Sequence, residues 1–128
     1  MHRFTTEALR SSARLVGDGK AHEAIDVLEM AFQQAVEAHS IYDLVCLSLN
    51  SAIICEGCLK DDGRARRILR RALQYGPSET RTLVSLARLY YKLGKLNVAR
   101  KLLARRRETI GEKNNIGLQE VIGLLLKT

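Results

Sequence analysis

A recurring spacing of small and large apolar residues constrains this chain more than any other feature. Ala24, Leu28 and Ala31 stand four and then three residues apart. Ala65, Leu69 and Ala72 repeat that spacing, and Ala99, Leu103 and Arg106 repeat it with arginine in the last place. Such positions share one face of a helix, and the small residue sits where a neighbouring helix must come close. Ala65 and Ala99 are 34 residues apart, whereas Ala24 and Ala65 are 41 apart, seven more. Seven residues make about two helical turns, so a longer helix or loop can absorb them without rotating the apolar faces.

Each of these helices follows another. Before the third copy, Leu83, Leu86, Ala87 and Tyr90 form an apolar stripe, and Gly94 ends it at the left-handed position that glycine reaches at low cost. Leu9, Ser12 and Leu15 lead to Gly17 and Gly19 in the first copy, and Gly57 to Gly63 makes the turn in the second. Pro77 stops one helix and helps to start the next. The pattern predicts helices near 4–17, 21–38, 41–57, 62–75, 79–93, 95–109 and 115–127. The last, opened by Asn114 or Asn115 as a cap, is apolar on most sides and is expected to be a buried closing helix or one covered by a partner.

Composition agrees with helix and with a packed core. Of the 128 residues, 46% are hydrophobic and 27% charged, the balance of a globular chain, and there is a single proline. This length suits one domain, residues 1–128, built of units at about 5–38, 41–77 and 79–110 plus the closing helix at 115–127. The first twenty residues carry no apolar run of signal-peptide length, and the apolar stretch 44–55 is too short to span a bilayer. An odd count of three cysteines fits reduced thiols, so a cytoplasmic location is expected.

The period and the stretch SLARLYYKLGKLNVARKLL at 85–103, with Ala87, Tyr90, Gly94 and Ala99 in place, resemble the tetratricopeptide-repeat family. The resemblance covers residues 5–110, although tryptophan is absent and two units lack the aromatic. It implies an all-α, right-handed solenoid of about three helix pairs with a C-terminal closing helix. It also implies a non-enzymatic protein-binding module whose first helices line a concave groove. Carried over, that groove consists of Leu9, Ala13 and Val16, then Leu44, Leu47, Ser51 and Ile54, then Arg81, Val84, Arg88 and Tyr91. A mostly apolar groove suits an amphipathic helix of a partner. Leu9 and Ala13 stand where carboxylate-clamping relatives use lysine and asparagine, which disfavours capture of a charged tail. In size, helix count and groove character the chain also resembles the needle-subunit chaperones of type III secretion. That resemblance implies a hetero-oligomer in which the groove holds a needle subunit's apolar helix beside a small helical co-chaperone.

No set of residues for catalysis, cofactor or metal binding gathers in the sequence. Cys55-Glu56-Gly57-Cys58 is a C-x-x-C without a second pair, and His2, His22 and His39 show no ligand spacing. Asp61 and Asp62 precede a helix and are read as capping residues. The net charge of +7 concentrates in Arg64, Arg66, Arg67, Arg70 and Arg71 and in Arg100, Lys101, Arg105, Arg106 and Arg107. Helical periodicity assigns these to the outer face of second helices, where solvent or an acidic partner would meet them. The clusters hold no aromatic residue for base stacking, which counts against nucleic acid. A basic nucleic-acid accessory factor, or a generic tetratricopeptide scaffold, stays open as an alternative to the chaperone or adapter reading.

Overall fold

The structure, a computed structural model, describes residues 1–77 and 79–110, with only the backbone for 105–110. The described residues form six α-helices and no strand: α1 (Arg3–Gly17), α2 (Ala21–Glu37), α3 (Ile41–Gly57), α4 (Asp62–Tyr75), α5 (Thr80–Lys92) and α6 (Leu96–Ile110). Their bounds follow the sequence pattern to within a residue; the helix expected at 115–127 lies outside the described residues.

Helices stop and start for local reasons. The N–H of Lys20 bonds the carbonyl of Leu15, that of Ser40 bonds Ala35, and that of Lys95 bonds Tyr90, each closing a helix with a six-residue loop. These loops need a left-handed residue, supplied by Gly19, His39 and Gly94 at φ 76°, 53° and 78°. Two of the three are glycine, which takes that conformation without strain; His39 does not. The Ser40 hydroxyl accepts from the Asp43 N–H to cap α3, and the Asp61 carboxylate accepts from the Arg64 N–H at 3.0 Å to cap α4.

Every described member of the recurring pattern is buried: Ala24, Leu28, Ala31, Ala65, Leu69, Ala72, Ala99 and Leu103. Alanine at these crossings lets backbones approach, while each buried leucine contributes about 1.5–3 kcal/mol through area removed from water. The longer first interval is carried by helix length. α2 has 17 residues against 14 in α4, and α3 has 17 against 13 in α5, which together supply the extra seven. The apolar faces therefore keep their phase.

Consecutive helices pack in order from α1 to α6, making a stacked solenoid of helix pairs. The odd-numbered helices also meet: α1 touches α3, and α3 touches α5. The even-numbered helices show no comparable backbone approach among the described residues. Closer spacing on one layer than on the other curves a stack toward the closer layer. The open face of α1, α3 and α5 lies on the more closely spaced layer.

Polar side chains join parts of the chain that are far apart in sequence. Asp43, 1% exposed at the start of α3, accepts from the Thr5 hydroxyl at 2.7 Å and from the His2 backbone N–H at 2.8 Å, with His2 Nδ1 at 3.1 Å. Burial pushes this carboxyl up, but the hydrogen bonds from His2, Thr5 and Ser40 outweigh it and hold the group below the ordinary 3.8. Between α2 and α4, Arg71 donates both terminal nitrogens to Glu29 at 2.7 and 2.8 Å, with its guanidinium 3.7 Å from the centre of the Phe32 ring. Lys92 ties the end of α5 to Glu56 and Asp62 at 3.1 and 3.3 Å.

Candidate functional site: the face of α1, α3 and α5

The exposed stripe of α3 consists of Tyr42, Cys46, Leu49 with Asn50, and Ile53, spaced along one side of the helix. Tyr42 is 56% exposed and Ile53 67% exposed, large apolar side chains on a helix whose other faces are packed. Cys46 and Leu49 between them are half-buried. The stripe spans about three helical turns, roughly 16 Å. On α5, Arg81, Arg88 and Lys92 are exposed with half-buried Ser85 among them, again at helical spacing. Arg81 bridges the two helices: its guanidinium lies 5.2 Å from the Tyr42 ring centre and 3.8 Å from the Cys46 sulfur, with Glu79 at 2.8 Å. Arg88 has no ion-pair partner among the described residues. At the end near the start of α3, Met1, His2, Ser40, Tyr42 and Asp43 line an open cleft of about 400 Å³.

The residues expected from sequence to line the groove divide into an accessible set and a buried set. Leu9 and Val16 of α1 are half-buried and Ala13 is exposed. Arg81 and Arg88 of α5 are exposed, and Tyr91 is half-buried against the core. Leu44, Leu47 and Ser51 are fully buried, and Ile54 and Val84 are only 9% exposed, so these five face the core. A shift of one residue turns a helix by about 100°, and the expected α3 register faces inward by at least that much. Sequence offered no means of choosing, because α3 is apolar on nearly every side and periodicity marks no face. The accessible residues that the expectation missed are Tyr42, Cys46, Leu49 and Ile53.

The arginines of α4 divide. Arg70 donates Nε to the Tyr90 hydroxyl at 2.7 Å, with Nη2 donating to the same oxygen, and Arg71 is held by Glu29. These two are tied into helix packing rather than simply solvated. Arg64, Arg66 and Arg67 form no ion pair among the described residues. Of Arg105, Arg106 and Arg107 only the helical backbone is described.

The cysteines stand apart chemically. Cys55 is buried, Cys58 exposed and Cys46 intermediate, and all three are free thiols. Burial pushes the Cys55 thiol up, away from the thiolate a redox pair needs, with Arg64 opposing and Asp61 and Glu29 adding to the rise. Among the described residues no group of three or more His, Cys, Asp or Glu could hold a metal ion. No helix among them is long and apolar enough to cross a membrane.

Residues 61–111, which include α4, α5 and α6, match a family model described as tetratricopeptide repeat. No curated protein gives a significant match to the chain. The described residues form an all-helical solenoid of helix pairs that is tetratricopeptide-like over α4, α5 and α6. Repeats of this family generally act as non-enzymatic scaffolds for protein–protein interaction, and that is the class of function the fold and the match support.

Proposed function

We propose that this protein holds an amphipathic helix of a partner protein on the face of α1, α3 and α5. The exposed stripe of Tyr42, Cys46, Leu49 and Ile53 carries the reading, because a long apolar strip left open between packed helices marks an interaction surface. A partner helix with apolar residues at helical spacing fits it, laid across Leu9 and Ala13 on one side and Arg81 and Arg88 on the other. The two arginines favour a partner whose helix is acidic along the flank facing α5. A chaperone or adapter role follows from such a surface: a subunit that assembles through an apolar helix stays unassembled while that helix is covered. A type III needle-subunit chaperone, with a helical co-chaperone alongside, is the finer form of the proposal, and it rests on size and helix arrangement.

The test is affinity purification from the native host, followed by native mass spectrometry, comparing the natural chain with Ile53→Asp. Ile53 is 67% exposed, so the substitution should leave stability within about 0.5 kcal/mol. A helical protein retained by the natural chain and lost from the folded variant is expected. Retention of the same partner by both would end the proposal, and the partner's identity decides between a secretion chaperone and another adapter.

A further inference from the structure

On the opposite layer, α2 and α4 enclose a cleft of about 260 Å³ lined by Glu29, Arg64, Arg67, Ile68 and Arg71. Arg64, Arg67 and Arg71 recur at three and four residues, which places three guanidinium groups on one side of α4. A single carboxylate faces them, and both oxygens of Glu29 are already taken by the two terminal nitrogens of Arg71. Arg64 and Arg67 form no ion pair among the described residues. Asp61, the N-cap of α4, accepts from the Arg64 backbone N–H, and the Arg64 guanidinium makes no hydrogen bond among the described residues. In addition, Nε of Arg71 is buried and donates to nothing. A buried donor without an acceptor and two uncompensated like charges beside it are each unfavourable alone. One oxyanion in the cleft removes the charge deficit of Arg64 and Arg67.

We propose that this cleft is a binding site for a phosphate monoester, held by Arg64 and Arg67 against the Arg71–Glu29 pair. The tetrahedral group offers several acceptor oxygens to planar guanidinium forks, and its double charge balances the two unpaired arginines. A carboxylate offers two oxygens and one charge, and Arg71 already holds one. Nucleic acid fits less well, since no aromatic ring lines the cleft and Phe32 beneath Arg71 is fully buried. The site lies on the layer opposite the proposed helix-binding face, so the two proposals stand or fall separately.

The experiment is NMR titration of the full chain at fixed ionic strength, following the arginine Nε–Hε signals. The probes are inorganic phosphate, then phenyl phosphate, then a short oligothymidylate. Saturable shifts at Arg64, Arg67 and Arg71 with both phosphate probes are expected. The Arg64→Gln, Arg67→Gln double variant should lose about tenfold in affinity per removed contact while its thermal midpoint without phosphate holds. Arg10→Gln, exposed on α1 and outside both proposed sites, should bind as the natural chain does. Three outcomes overturn the proposal: linear shifts without saturation, undiminished binding in the double variant, or an oligothymidylate that occupies these arginines more tightly than phenyl phosphate. A phenyl phosphate that binds while free phosphate does not assigns the site to an esterified phosphate and keeps the proposal.

Discussion

Replacing Thr5 with valine removes one donor from a buried carboxylate and keeps the side chain's shape. Thr5 and Asp43 are both buried, and the Thr5 hydroxyl makes the shortest of the hydrogen bonds to Asp43, at 2.7 Å. A hydrogen bond to a charged group in such a place contributes about 1.5–3 kcal/mol, so Thr5→Val should cost about 2 kcal/mol at neutral pH. For a domain of this size that lowers the thermal midpoint by roughly 8 °C. The sign with pH follows from the lowered Asp43 group. A carboxyl depressed in the folded state contributes stability that is complete above its unfolded value, near 3.8, and is lost as pH falls through the lower folded value. Thr5→Val lessens the depression, so the gap between natural chain and variant should narrow in acid to about 1 kcal/mol, the worth of a neutral hydrogen bond. Urea unfolding at neutral pH and again below 3.8 measures both gaps. A difference under about 0.5 kcal/mol at neutral pH, or one that does not change on acidification, would refute the reasoning.

Other outcomes follow from packing and backbone. Ala99 is fully buried at the α5–α6 crossing, so Ala99→Phe should cost about 1–3 kcal/mol by overpacking, and a neutral result in denaturant unfolding would mean that the helix register is wrong. Glu29 and Arg71 should couple by about 1 kcal/mol in a double-mutant cycle of Glu29→Ala and Arg71→Ala, since each side chain is about a third exposed and partly screened; additive single effects would show the pair to be idle. His39→Gly should raise stability by about 0.5–1 kcal/mol, because His39 sits at φ 53° where glycine is unstrained; a lower melting temperature would contradict that account.

Much of the fold was legible residue by residue. The turns at Gly19 and Gly94, the cap at Asp61 and the buried Ala24, Ala65 and Ala99 rest on interactions within a few residues, which a one-dimensional pattern records. The partners of Asp43 and Glu29 were not legible. Thr5 lies 38 residues from Asp43, and Arg71 lies 42 from Glu29, and nothing local to either residue predicts the other. The α4 arginines looked alike in sequence, yet Tyr90 on α5 and Glu29 on α2 engage Arg70 and Arg71 and leave Arg64 and Arg67 unpaired.

The sequence by itself determined the helices, their order and the small-residue crossings, because 3.6-residue periodicity and chain termination are properties of each segment alone. Where a helix is amphipathic, as with α4 and α5, it also determined the buried face. Only the tertiary structure decided which side of α3 remains open. α3 touches α1, α2, α4 and α5, and a helix apolar all round leaves exposed whichever face those neighbours do not cover. Tyr42 and Ile53 are on that face because the neighbouring helices enclose the rest of α3.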